Sequence, residues 1–215
     1  MMDRKTSIAS VLALLAAGCS TGAAEPSVDE IRSGAERFRD VRVAIAEGYT
    51  TDNKCVTAEM LGHPAEQGAM GLHYVRRDWL GLPDKPSGGR VSGTGTYTDF
   101  RNPAMLVYEP QEDGSLELVA VENLVFASAW HAKAGDSPPV FDRTRYVLLR
   151  DDSATKVDEA HGWEPHYELH AWVFRRNPNG MHKQFSPAVT CRHHKPPAPQ
   201  PAPAAQHPAG HATAS

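Results

Sequence analysis

"HYELHAWVF", residues 166–174, decides the fold, because it reads either as a helix or as a strand. His166 and His170 stand four apart, the spacing of two zinc ligands on a helix. A helical metalloprotease site, however, needs its glutamate directly after the first histidine, and Glu168 falls one place too late. The tryptophan, valine and phenylalanine that follow favour an extended chain. On a strand, side chains two apart share a face. His166, Glu168, His170, Trp172 and Phe174 then point one way, and Tyr167, Leu169, Ala171 and Val173 the other. The second set is core. The first is a polar, aromatic face of the kind that lines a pocket.

Strand signals extend back from this segment. "AMGLHYV" (69–75) alternates, and "AMLVYEP" (104–110) and "SLELVAVENLVFASAW" (115–130) flank a hairpin turn at Asp113-Gly114. "RTRYVLLR" (143–150) is a further strand, and "RRNPNG" (175–180) closes the last one with strong turn residues. Residues 84–100 form a glycine-rich loop without a phosphate-binding spacing. Before all of these lies one helix, expected over 28–47. Ser27 with Glu30 makes a capping box, Gly48 supplies the stop, and Ile31, Ala35, Phe38, Val41 and Ile45 fall on one stripe. The expected architecture is therefore α+β: one long N-terminal helix packed on a curved antiparallel sheet of five or six strands.

The chain has 215 residues and a formal charge of −4. Asp3, Arg4 and Lys5 precede an apolar run from Ile8 to Ala17, too short to span a membrane and suited to an export signal over residues 1–18. Leu15-Ala16-Ala17-Gly18-Cys19 resembles a bacterial lipobox, with the leucine one place further from the cysteine than in the commonest pattern. Lipidation of Cys19 would leave residues 19–26 as a tether, and Ser20 favours sorting to the outer membrane. Ordinary cleavage near Ala24 would instead release a soluble secreted protein. Removal of residues 1–18 takes away one net positive charge and leaves −5, which argues against nucleic acid as a partner. The remaining cysteines, Cys55 and Cys191, form an even pair in an oxidising compartment and are expected to bond. Residues 193–215 are rich in proline and alanine, carry His193, His194, His207 and His211, and are expected to be disordered. A single domain over 27–192 remains.

The segments "GAMGLHYV" (68–75), "MLVYEP" (105–110), "LVAVENLVF" (118–126) and "HGWEPHYELHAWVFRRNPNGMHKQFSPAVTC" (161–191) resemble a family of exported bacterial proteins with no assigned activity. The resemblance runs from "RFRDVRVAIAEGY" (37–49) to Cys191. Typical members carry tyrosine where Asn123 stands and tryptophan where Phe185 stands. The resemblance implies one exported domain and supplies no mechanism.

His166 and His170 lie about 13 Å apart along a strand at roughly 3.3 Å per residue, too far to share one ion. Ligands would have to come from neighbouring strands. His73 and Glu122 are the best candidates, with Glu109 behind them. A set of His73, Glu122, Glu168 and His170 suits zinc or another first-row divalent metal. Alternatively His73, Glu122, His166, Glu168, His170 and Trp172 line a site for a small ligand or an envelope partner, or form a purely structural polar network. Glu109 and Glu122 could do acid–base work if they faced each other across a hairpin. His63, His131, His161 and His182 stand in turn-like contexts and are expected at the surface. No nucleophile motif appears, so the sequence assigns no reaction.

Overall fold

The computed structural model describes residues 24–83 and 89–196. The export signal, Cys19, the part of the glycine-rich loop at 84–88 and most of the tail lie outside the described residues.

In chain order the elements are α1 (Val28–Ala35), α2 (Val41–Ala46), β1 (Tyr49–Thr50), β2 (Cys55–Thr57), β3 (Ala69–Arg76), β4 (Met105–Pro110) and β5 (Leu116–Phe126). After these come α3 (Ala127–Ala134), β6 (Val140–Phe141), β7 (Thr144–Arg145), β8 (Val147–Leu149) and β9 (His166–Ala171). Seven strands form one antiparallel sheet in the order β1-β3-β4-β5-β9-β8, with β2 sharing the free edge of β3 with β1. β6 and β7 make a separate hairpin. The α+β class and the antiparallel sheet are as the alternation implies, but the sheet has seven strands rather than five or six, because the short β1 and β2 both pair with β3.

Three elements depart from the sequence reading. The expected helix over 28–47 is two helices. α1 opens on its capping box, with Ser27 N–H donating to Glu30 at 2.8 Å, and then tightens into a 3₁₀ turn at Glu36–Arg39. Asp40 is extended and caps α2 by accepting from the Arg42 N–H at 3.0 Å. The break rotates the apolar stripe: Ile31, Ala35, Phe38 and Ala44 are buried, while Ile45 is left 54 % exposed. The strand expected over 115–130 ends at Phe126, and Ala-Ser-Ala-Trp begins α3 instead. Without β-branched residues, nothing holds that stretch in a ladder. The segment at 143–150 breaks into β7 and β8 around Tyr146.

One face of the sheet meets the helices. Leu72, Tyr74, Leu106, Tyr108, Val121, Val125 and Leu169 pack on Ile31, Ala35 and Phe38 in one buried cluster. Tyr108 Oη donates to the Phe38 carbonyl at 2.7 Å and Tyr49 Oη to that of Pro103 at 2.6 Å, so both tyrosines end in a bond rather than a void. At Gly34 a Cβ would lie 2.8 Å from the Arg101 carbonyl, so α1 can lie this close to the 101–103 segment only with glycine there.

The opposite face is covered by loops. Val91 bridges Trp163 and Ala69 bridges Ser186, which fastens the 89–95, 158–164 and 181–191 segments over the strands. Cys55 and Cys191 are disulfide-bonded, as cysteine parity implies, and fix the C-terminal segment to β2. In the chain-entropy account a loop this long stabilises by about 4–5 kcal/mol. Among the described residues no helix is long and apolar enough to cross a membrane.

Candidate metal centre

The alternation of β9 puts His166, Glu168 and His170 on the loop-covered face. β5 runs beside it in a register that sets Glu122 directly across from His170 and Leu124 across from Glu168. His73 reaches the same ground from β3, over β4. His161 arrives from the 158–164 loop, where φ of +41° at His161 turns the chain back over the sheet.

These six side chains form a continuous string. His73 Nε2 is 3.1 Å from Glu122 Oε2, and His170 Nε2 is 3.4 Å from the same oxygen. The other ring nitrogen of His170, Nδ1, lies 3.9 Å from Glu168 Oε1. Glu168 Oε2 is 3.5 Å from His166 Nε2 and 4.0 Å from His161 Nε2. Two sets result, His73/Glu122/His170 and His161/His166/Glu168, each with its ligand atoms within 4.8 Å of one another.

Burial makes this arrangement costly. Glu122 is 0 % exposed and Glu168 2 %, and among the described residues no lysine or arginine pairs with either. Among the described residues both Glu122 oxygens, Glu168 Oε1, His161 Nε2, His166 Nε2 and both His170 nitrogens lack an aligned hydrogen-bond partner. An unpaired buried carboxylate carries a penalty of several kcal/mol. The spacing also fits metal coordination. Around a tetrahedral ion with bonds of about 2.1 Å, donor atoms stand about 3.4 Å apart.

Burial opposes charge on His73, but attraction to the Glu122 carboxylate outweighs it and holds the pKa above the usual histidine value. Burial pushes His170 down to about 4, with His73 and His182 adding to the effect against the pull of Glu168. His161 is pushed down to about 2 by burial and by the neighbouring His166. His161 and His170 therefore present neutral nitrogens, the form that binds metal.

Outer contacts orient the rings. His166 Nδ1–H donates to the Glu164 carbonyl at 2.9 Å, which leaves Nε2 as the inward lone pair. His170 stacks on Trp172 at 5.5 Å between centroids, and the Trp172 indole N–H donates to the Lys183 carbonyl at 2.6 Å. Trp172 is thus a wall of the site.

A cavity of about 170 Å³ lies above the string, lined by Asp52, Lys54, Arg77 and Trp163 together with His73 and His161. Of the six ligand-lining residues expected from sequence, only His73 borders it. Glu122, His166, Glu168, His170 and Trp172 lie beneath, buried.

The expected surface placement of His161 and His182 fails here. His161 is not a surface residue, since its side chain is 8 % exposed under the folded-back loop. His182 is similarly enclosed, donating from Nδ1 to the His170 carbonyl at 2.8 Å, whereas His63 is exposed and His131 half-buried. Glu109 does not face Glu122. A bulge after Val107 pairs it with Glu117, where it forms an ion pair with Arg175 and accepts the Thr190 N–H at 2.7 Å. The turn sequence His161-Gly162 is the available signal for the sixth side chain of the string; its inward placement depends on the distant Val91 bridge.

Searches against protein-family models, curated proteins and solved structures find no match.

Proposed function

We propose that this is a metal-binding protein of the bacterial cell envelope, exported through residues 1–18, anchored by lipid at Cys19, and holding a first-row divalent ion, zinc foremost, between His73, Glu122 and His170. One observation carries the reading. The Glu122 carboxylate is fully buried between two histidine nitrogens at coordination spacing, and among the described residues no lysine, arginine or aligned donor balances it. Two histidines and one carboxylate are a zinc donor set, and a fourth position left open is the pattern of catalytic rather than closed structural sites. His73 borders the cavity, so an exchangeable water or small ligand has room beside the ion. The Cys55–Cys191 disulfide supports an oxidising compartment.

A small-ligand reading is favoured by the same cavity. At about 170 Å³ it falls below the usual size of drug-sized pockets, which suits a small ligand held on the ion better than a larger one bound alone.

The test is metal content by mass spectrometry of the oxidised chain made in a bacterial periplasm. It carries no affinity tag, and His193, His194, His207 and His211 are changed to glutamine. A near-stoichiometric ion that is lost in Glu122→Gln, with the far-ultraviolet spectrum unchanged, supports the reading. A folded chain that stays metal-free after incubation with zinc, cobalt, manganese or iron(II) overturns it.

A further inference from the structure

We infer that a second divalent ion binds between His161, His166 and Glu168, and that Glu168 joins the two sites into one unit. This rests on the reading just given and goes beyond it. The second set repeats the first in chemistry, two histidines and a carboxylate, with Glu168 Oε2 at 3.5 Å from His166 Nε2 and 4.0 Å from His161 Nε2. His166 is already oriented, because its Nδ1–H is committed to the Glu164 carbonyl. Among the described residues the inward nitrogens of His166 and His161 have no other partner.

Glu168 is the link because its two oxygens face different neighbours. Oε2 faces the second set, while Oε1 faces His170 Nδ1 at 3.9 Å. A neutral His170 that binds the first ion through Nε2 carries its proton on Nδ1, the atom turned to Glu168 Oε1. One carboxylate then ligates the second ion and orients a ligand of the first, the carboxylate–histidine–metal arrangement. His73 and His161, one from each set, both line the cavity, so an exogenous ligand reaches both ions through one mouth.

The experiment counts ions on the full mature chain with the four tail histidines replaced, loaded with zinc and then with cobalt. Two ions per chain are expected, falling to one in His161→Gln, the variant least disturbing to the sheet. His63→Gln, at an exposed position, keeps both. In Glu168→Gln one ion remains, held roughly 10–100-fold more weakly, because the orienting carboxylate is lost with the ligand. Thermal unfolding of each metal-free variant checks that the fold survives. One ion in the native chain, unchanged by His161→Gln, overturns the second site and leaves the first standing. Two ions that persist in His161→Gln also overturn it. No ion at all overturns the reading on which it rests.

Discussion

The two faces of the sheet are built from the same strands and obey opposite rules. Toward the helices, Leu106, Tyr108, Val121 and Leu169 are buried among apolar neighbours, and Tyr108 Oη has a carbonyl partner. Toward the loops, the alternate positions Glu122, His166, Glu168 and His170 are buried just as deeply, and most of their polar atoms have no aligned hydrogen-bond partner among the described residues. The first face is complete within the chain. The second sets buried carboxylates among histidines, the arrangement that the proposed ion would complete. Burial alone therefore does not mark a core: the partner of each buried polar atom does.

The contrast is broken most severely from the helix side. Leu106→Ala removes a side chain that is 0 % exposed and should cost about 2–5 kcal/mol in chemical denaturation, with or without chelator. A loss that depended on metal would show that the faces are not independent. From the loop side the next largest effect comes from metal itself. Zinc at about a hundred times its dissociation constant should stabilise the native chain by about 2.7 kcal/mol. Glu122→Gln should abolish that gain, and an equal gain in the variant would place the ion elsewhere.

Acid sharpens the comparison with the smallest effect. His170 and His161 are held neutral in the fold, down to about 4 and about 2, whereas in the unfolded chain they take up protons below the ordinary 6.5. The unfolded state then binds more protons, so stability falls as pH drops from about 6.5 toward 4. His73, raised by Glu122, works the other way: its contribution is present below 6.5 and fades as pH rises through its folded value. With two groups against one, the metal-free protein should lose stability between pH 7 and pH 5. His161→Gln should flatten that slope in melting curves taken with chelator. An unchanged slope would remove His161 from the buried string.

The sequence carried the strand at 166–171, the hairpin at Asp113-Gly114 and the pairing of two cysteines, because each is local or a matter of parity. The alternation also placed His166, Glu168 and His170 on one face, and the β5 register then added Glu122. What escaped was set elsewhere. The helix breaks because Asp40 caps a new one; β1 and β2 are too short for any period to show. His161 turns inward because a loop 70 residues earlier bridges Trp163, and Glu109 stays apart from Glu122 because the β4–β5 register sets Glu122 against Met105 and Glu109 against Glu117. Neither cause has a trace at the residue itself.

The Cys55–Cys191 bond has a topological consequence. It closes a covalent ring of chain that contains His73, Glu122, His161, His166, Glu168 and His170. A protease that cuts once inside that ring, at the exposed 151–156 segment for example, yields one nicked molecule and no fragments. Histidines on either side of the cut stay tethered to the same ring, so a single scission leaves all six candidate ligands in one molecule.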